Sequence, residues 1–211
     1  MDITSREIVL KKIRQALVQK RGLKFPAVDW DKNIYAENSD SQEEQFAKAF
    51  TKVGGHFVFC ENELEFAENI ITLSQENKWK QFYCREEAIT QQLDKIDFPY
   101  TREEKNFPEG IVAITSCEAL ISRLGSVLVS SGQGSGRRLF VVPTVHIVLA
   151  YTSQIVPDLK DGLQRIKKRY NDQIPSFIAT LTGPSRTADI EKTLVTPAHG
   201  PRDIFVFLVE G

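Results

Sequence analysis

The densest group of polar side chains lies in residues 182–191, directly after an apolar run typical of a buried strand. Ligands of open α/β sheets bind outside the carboxyl ends of strands, where a loop can present backbone N–H groups to an anion. This loop also places carboxylates beside a cation. Ser185 and Asp189 have an alternative role as caps of a short helix. The candidate ligand-binding residues are Thr182, Gly183, Ser185, Arg186 and Thr187, and the candidate catalytic carboxylates are Asp189 and Glu191.

A glycine-rich loop is the second candidate. Gly132, Gly134 and Gly136 precede Arg137 and Arg138. The spacing is not that of a dinucleotide fingerprint, and no Lys-Ser/Thr pair follows as in a P-loop. The glycines let the backbone approach a ligand closely, and the arginines can bind a carboxylate or a phosphate through paired hydrogen bonds. The alternative is a flexible hairpin loop whose arginines are solvated.

Histidines and cysteines are few, and their spacing limits the chemistry. His199 precedes the last predicted strand and is the candidate proton donor, whereas His146 lies in an apolar strand and is predicted to be structural. No two histidines stand at i, i+4, and the G-x-S-x-G elbow of serine hydrolases is missing. Cys60, Cys84 and Cys117 form no C-x-x-C. Neither a metal nor an iron–sulfur cluster is therefore indicated, and no cofactor is predicted.

Composition narrows the classes of function. The 211 residues carry 27 Lys and Arg against 28 Asp and Glu, a net charge of −1, so a nucleic-acid partner is not expected. The amino terminus lacks a basic segment followed by an apolar core, so no signal peptide is predicted. The longest uncharged run, 139–157, is interrupted by polar residues and proline. It predicts buried strands rather than membrane insertion. With an odd number of widely spaced cysteines, the chain is expected to be cytoplasmic.

These candidates need a scaffold, and apolar periodicity predicts alternating helices and strands. Capping motifs at Thr4, Ser41 and Asn62 begin helices. Residues 1–40 are predicted to form a helix and loop extension, and residues 41–211 a single α/β domain. The predicted strands are continuously apolar, which indicates burial on both faces. A three-layer α/β sandwich with a mostly parallel sheet is therefore expected.

The C-terminal half carries the finer structural predictions. A short helix is expected over 116–124, with Glu118 as a solvated charge, and strands over 126–130, 139–142 and 145–151. The connections between residues 126 and 151 are too short for helices, because a parallel pair needs a long crossover. At least one antiparallel pair is therefore expected in that stretch.

Several motifs, in order, resemble those of the LUD-domain family of lactate-utilization proteins. The resemblance covers residues 111–211 well, whereas residues 1–110 are similar only in general layout. The motifs are the segments 181–191, Leu194-Val195, His199-Gly200-Pro201 and 205–209, together with Gly136-Arg137-Arg138-Leu139, Pro143-x-Val145-His146-Ile147-Val148 and Ala119-x-Ile121-Ser122-x-x-Gly125-Ser126.

The resemblance implies a fold similar to the NagB/RpiA/CoA-transferase-like superfamily. It also implies a part in the oxidation of L-lactate to pyruvate beside iron–sulfur partner subunits. Because this chain has no cluster cysteines, it is not expected to be the electron carrier itself. One departure is Arg123-Leu124-Gly125, where members commonly carry Glu-Thr-Gly. Any catalytic role of that glutamate would be lost here.

Three functions remain open at this point. The first is an accessory or regulatory component of lactate oxidation that binds a small anionic metabolite. The second is a freestanding CoA-transferase-like enzyme acting on a small carboxylate or phosphate ester. It would use Asp189 or Glu191 as base or nucleophile and Arg137, Arg138 or Arg186 as anion clamp. The third is a non-catalytic interaction module. The first two predict that the glycine-rich loop and the 182–191 loop meet in one pocket, and the third predicts that they lie apart.

Overall fold

The computed structural model describes residues 4–18, 39–103, 110–185 and 200–211. The chain divides into two compact units, Met1–Ser39 and Asp40–Gly211. No helix in the described ranges is long and apolar enough to cross a membrane. The helices are α1 (Ser5–Val18), α2 (Gln42–Lys52), α3 (Glu63–Glu76), α4 (Glu87–Asp94) and α5 (Leu159–Arg169). The strands are β1 (His56–Cys60), β2 (Phe82–Tyr83), β3 (Val112–Thr115), β4 (Ala119–Ile121), β5 (Ser126–Ser130), β6 (Val145–Tyr151), β7 (Ile155–Val156), β8 (Ile178–Leu181) and β9 (Asp203–Val209).

Side-chain caps begin three helices where the sequence motifs predict them. In the first unit, the backbone N–H of Glu7 donates to Thr4 Oγ1 at 3.4 Å. In the second unit, the backbone N–H of Glu44 donates to Ser41 Oγ at 3.3 Å. Asn62 Oδ1 accepts from two backbone N–H groups of α3, each at 3.0 Å. Each cap satisfies donors that the first turn of a helix leaves without an intrahelical partner.

A five-stranded parallel sheet runs through the second unit in the order β1-β9-β6-β3-β2. β6 and β9 pair along their whole length, from Val145 opposite Asp203 to Tyr151 opposite Val209. All of β3 is buried, and only the last residue of β6 is partly exposed. The parallel pairing confirms the prediction of an α/β fold with a mostly parallel sheet, and burial on both faces explains why its strands are mostly apolar.

The two faces of this parallel sheet are covered differently. α3 and α4 pack on one face, with Phe66 and Leu93 fully buried there. The other face packs against α2, which buries Phe46 and Phe50, and against a second sheet. α5 covers the outer face of that second sheet through Ile166. The strands that carry the candidate site are thus held between apolar layers.

The second sheet has the order β7-β4-β5-β8 and mixed strand directions. β5 is antiparallel to β4 and to β8, whereas β4 is parallel to β7. The predicted helix over 116–124 is wrong, since this stretch contains β4. All three residues of β4 are buried, because the strand packs between the parallel sheet and α5. A helix in this place would not bury every position.

The segment between β5 and β6 corrects two further expectations. Arg138–Phe140 form a 3₁₀ helix instead of a strand over 139–142, and Val141 and Val142 are exposed. Leu139 and Phe140 are fully buried in two different apolar clusters, at the place where the chain passes from one sheet to the other. β5 and β6 belong to different sheets, so the antiparallel partners of β5 lie outside residues 126–151.

Candidate functional site

A polar cluster lies where β2, β3 and β5 end. Glu86 follows β2, Ser116 follows β3, and the glycine-rich loop brings Gln133 and Ser135 to them after β5. The sequence prediction did not include Glu86 or Ser116. The signal that was available is positional. Ser116 directly follows β3 and Glu86 lies three residues after β2, and the carboxyl ends of these paired parallel strands meet at one sheet edge.

Glu86 holds this cluster together. Its Oε1 accepts a hydrogen bond from the backbone N–H of Ser116 at 2.8 Å and another from the hydroxyl of Ser135. Its Oε2 accepts from the hydroxyl of Ser116. The Glu86 side chain is half-buried. Donors to an ionised carboxylate make strong hydrogen bonds, so they hold the Glu86 carboxylate in one orientation.

The glycine-rich loop alternates between buried and exposed residues. Gln133 and Ser135 are 5% and 0% exposed, whereas Gly132 and Gly134 are exposed. Gln133 Nε2 donates to Ser116 Oγ at 3.0 Å, and its Oε1 accepts from the backbone N–H of Ser130 at 2.8 Å. The loop is therefore anchored from within by its non-glycine side chains. The hydrogen bonds of Gln133 thus describe an anchored loop, whereas the alternative stated from the sequence was a flexible hairpin loop.

The outer side of the loop carries donors and positive charge. No described residue accepts a hydrogen bond from the backbone N–H groups of Gly134 and Gly136. Gly136 has a φ of +74°, a conformation that favours glycine. The exposed Arg137 and Arg138 follow, and the guanidinium of Arg137 lies 5.9 Å from the centre of the Phe177 ring. Backbone N–H groups without a described acceptor, placed beside arginines, can bind carboxylates and phosphates.

Glu118 lies beneath the loop and is fully buried, so the expectation of a solvated charge is wrong. Its carboxylate accepts from Ser130 Oγ at 2.6 Å, Tyr170 Oη at 2.7 Å and Arg169 Nη1 at 2.9 Å. A buried charge needs such partners. A Cβ on Gly132 would come within 2.4 Å of the Tyr170 ring, so glycine lets the loop pack against this tyrosine.

The described part of the second predicted loop lies at the other end of β5. Thr182 Oγ1 shares a 2.7 Å hydrogen bond with Ser126 Oγ at the start of β5. Gly183 has a φ of +79°, and a Cβ there would come within 2.4 Å of the Val53 carbonyl oxygen. The Ser185 backbone N–H donates to the Pro201 carbonyl at 2.9 Å. The described parts of the two loops are therefore separated by the length of β5. Outside the described residues lie Arg186, Thr187, Asp189, Glu191 and His199.

Arg123 lies in the turn between β4 and β5. Its Nε donates to Asp158 Oδ2 at 2.8 Å. This hydrogen bond holds the pKa of Asp158, the residue that caps α5, below its usual range. In the same turn, Gly125 has a φ of +58°, and its Cβ position is 2.4 Å from the backbone of Ala49. Arg123 thus joins the turn to the start of α5.

His146 is fully buried in β6. Its Nε2 lies 2.8 Å from Thr115 Oγ1, and the Thr115 hydroxyl donates to the Ser116 carbonyl at 2.9 Å. Because the Thr115 hydroxyl donates its one proton to that carbonyl, it accepts a hydrogen bond from His146 Nε2. Nε2 therefore carries the imidazole proton, and Nδ1 carries none. No described residue pairs with Nδ1. Burial lowers the pKa of His146 to about 3, so the ring is neutral at pH 7.

The described residues contain no group of three or more His, Cys, Asp and Glu side chains that could hold a metal ion. Cys60, Cys84 and Cys117 are free and buried. Burial raises the pKa of the Cys84 thiol, next to the Glu86 cluster, to about 12. Because the thiolate is the reactive form, Cys84 is an inert neighbour of the cluster at neutral pH.

Together, the parallel sheet and the oriented polar groups at its strand ends define an α/β protein whose candidate site lies at the carboxyl ends of strands. The family model of the LUD domain matches residues 43–209. The chain therefore belongs to the LUD-domain family.

Curated relatives and a solved structure agree with this assignment. Lactate utilization protein C of Bacillus licheniformis is 36% identical over 101 residues, which cover 47% of this chain and 42% of that protein. Lactate utilization protein C of Anoxybacillus flavithermus is 28% identical over 134 residues, which cover 62% of this chain and 59% of that protein. The match thus spans less than half of the first relative. A crystal structure of a DUF162 family protein from Deinococcus radiodurans has the same fold, with a TM-score of 0.58 and 21% identity over 80% of this chain and 98% of that one.

Proposed function

We propose that this protein is a LutC-like component of lactate utilization. In this proposal it is an accessory or regulatory component of the oxidation of L-lactate to pyruvate, works with iron–sulfur partner subunits in the cytoplasm, and binds a small anionic metabolite. The observation that carries the proposal is the identity of 36% to a protein named lactate utilization protein C, within a LUD domain that spans residues 43–209.

The metabolite would bind on the outer side of the glycine-rich loop. The N–H groups of Gly134 and Gly136, which donate to no described residue, support this, as do the adjacent exposed side chains of Arg137 and Arg138. The inward-facing Gln133 and Ser135 would hold the loop in shape before the ligand arrives, which reduces the entropy cost of binding. Gly132 would act indirectly, by letting the loop pack on Tyr170.

The described start of the 182–191 loop lies at the other end of β5, so this loop would form a second binding region instead of sharing one pocket with the glycine-rich loop. In this hypothesis Thr182, Gly183, Ser185 and Thr187 offer donors, Asp189 orients Arg186 or a substrate hydroxyl, Glu191 is a second carboxylate, and His199 donates a proton. Asp189→Asn should then abolish ligand binding and leave the melting temperature unchanged. A lowered melting temperature with unchanged binding would instead make Asp189 a helix cap.

A thermal-shift screen tests the ligand proposal. The panel contains L-lactate, pyruvate, CoA esters, sugar phosphates and folates. A ligand at about 100 times its Kd adds roughly 2.7 kcal/mol to the free energy of unfolding, which raises the Tm of a chain of this size by about 5–10 °C. The double variant Arg137→Gln, Arg138→Gln should lose the shift, whereas the control Lys168→Gln, an exposed cation on α5, should keep it. An equal shift in all three proteins would reject the loop as the site.

Growth of the host tests the biological role. Deletion of the gene should abolish growth on L-lactate and leave growth on pyruvate intact, because only the oxidation step is lost. Purification of the tagged chain from lactate-grown cells should yield iron and acid-labile sulfide from partner subunits, and the chain purified alone should yield neither. Normal growth on L-lactate after deletion would contradict the proposal.

A freestanding CoA-transferase-like enzyme is the second candidate. The observation that favours it is the half-buried Glu86 carboxylate beside Gly134, held by three donors. An oriented carboxylate of this kind can act as base or nucleophile toward a small carboxylate or phosphate ester. Turnover by the purified chain alone, lost in Glu86→Gln with the fold intact, would favour this candidate over the first.

A further inference from the structure

An apolar groove lies between α5 and the start of β8. Its volume is about 600 Å³. The apolar residues that line it are Leu159, Leu163, Ile166, Ile174 and Ile178. Leu163 and Ile174 are 43% and 60% exposed, so this groove leaves large apolar side chains in contact with water. Clustered exposure of this kind is typical of a binding surface.

The edge strand β8 borders the groove. β8 is the last strand of its sheet and pairs only with β5 among the described strands. Ile178 faces α5, whereas Ala179 and Leu181 pack into the core on the opposite face. Because side chains alternate along a strand, a further strand added beside β8 would direct every second side chain toward the groove. The outward N–H and C=O groups of β8 would bind its backbone.

The charges around the groove are unequal. Lys160 and Lys167 line it from the same face of α5 as Leu163, two helical turns apart or about 10 Å. The Lys160 side chain has no ion pair or hydrogen bond with the described residues, and Lys167 pairs only with an exposed aspartate at 3.3 Å. Among the described residues that line the groove, Asp158 is the one carboxylate, and it is bound by Arg123. The rim is therefore cationic, which is complementary to acidic groups.

We propose that this groove and the edge of β8 bind an extended, acidic and apolar segment of a partner protein. The segment adds a fifth strand to the β7-β4-β5-β8 sheet. Alternate apolar side chains fill the groove beside Leu163, and acidic residues near its ends face Lys160 and Lys167. This interaction is separate from the anion site proposed above and does not depend on it.

Peptide selection on the full-length chain tests the proposal. A display library of random ten-residue peptides is selected on the wild type, and the enriched peptide is synthesised with a fluorescent label. We expect a consensus of alternating apolar residues with acidic neighbours. By anisotropy, Leu163→Glu and Lys160→Glu should each weaken binding at least tenfold. The matched control is Leu64→Glu, which changes a 73% exposed leucine on α3 and should bind like the wild type.

Hydrogen exchange of the complex supplies the structural readout. The bound peptide should slow exchange at the amides of residues 178–181, because these groups gain partners, and Leu163→Glu should remove this effect. Three results would overturn the proposal: no enriched consensus, equal binding to Leu163→Glu and the wild type, or unchanged exchange in β8. A concentration-dependent dimer that Leu163→Glu dissociates and Leu64→Glu does not would also overturn it, since the occupant would then be a second copy.

Discussion

The buried His146 makes the stability of this protein depend on pH. The folded state holds the imidazole neutral, with its pKa lowered from 6.5 to about 3, whereas the unfolded state titrates near 6.5. Below pH 6.5 the unfolded state therefore binds more protons than the folded state. The stabilising contribution is fully present above pH 6.5 and is lost as the pH falls toward 3. Protonation is unfavourable because burial removes the charged imidazolium from water, and Nδ1 has no hydrogen-bond partner among the described residues.

The expected magnitude follows from these values. Each pKa unit corresponds to about 1.36 kcal/mol, so His146 should cost about 2 kcal/mol of unfolding free energy between pH 7 and pH 5. Urea denaturation at both pH values, on the wild type and on His146→Gln, measures it. The glutamine keeps a donor for Thr115 and cannot titrate, so the variant should lose about 2 kcal/mol less than the wild type over this range.

A control variant separates titration from packing. Phe140 lies 6.0 Å from His146 between ring centres, so Phe140→Leu disturbs the same part of the core and keeps the histidine. This variant should be less stable than the wild type at both pH values and show the wild-type difference between them. Equal pH dependence in His146→Gln and the wild type would refute the reasoning, because the difference would then come from other groups.

Three further substitutions probe the site and its surroundings. Gly132→Ala should cost about 1–3 kcal/mol of unfolding free energy, because the added methyl group clashes with the Tyr170 ring. In Gly134→Ala the nearest atom would be 3.5 Å from the added methyl group, so this variant should stay within about 1 kcal/mol of the wild type. Equal losses in urea denaturation would contradict this. Glu86→Ala leaves two serine hydroxyls and one N–H without their acceptor, so it should lower the free energy of unfolding by about 1–3 kcal/mol. It should also speed hydrogen exchange in residues 132–136. Unchanged exchange would show that Glu86 does not anchor the loop. Arg123→Ala should cost less than about 1 kcal/mol at pH 7. This difference in stability should shrink as the pH falls from about 4 through the lowered pKa of Asp158, because the protonated carboxyl group no longer attracts the arginine. A difference that does not change with pH would argue against the ion pair.

Local patterns predicted much of the scaffold. The caps at Thr4, Ser41 and Asn62 depend on residues two or three positions away, so short sequence motifs contain all the information they need. Long, mostly apolar runs likewise identified β6 and β9, since strands buried on both faces carry few polar residues. β4 was predicted as a helix because a strand of three residues has no periodicity to recognise.

The candidate site was predicted only in part, because most of its contacts join distant residues. The glycine-rich loop was found from its composition. Glu86 was missed, since its donors lie 30 and 49 residues further along the chain. Glu118 was predicted to be solvated, and its partner Arg169 lies 51 residues away. A carboxylate in a short polar motif looks the same whether it is exposed or bound by donors from another element.

The sequence by itself therefore determined the α/β class, the helix starts and the loop whose glycines and arginines suit an anion. These features follow from interactions within a few residues or from the apolar content of one strand. Only the tertiary structure decided that a second sheet covers the first, that Glu86 and Ser116 join the loop, and that the start of the 182–191 loop lies at the other end of β5. Strand order and register depend on packing between residues far apart in the chain, and that packing places each polar side chain at the surface or among its donors.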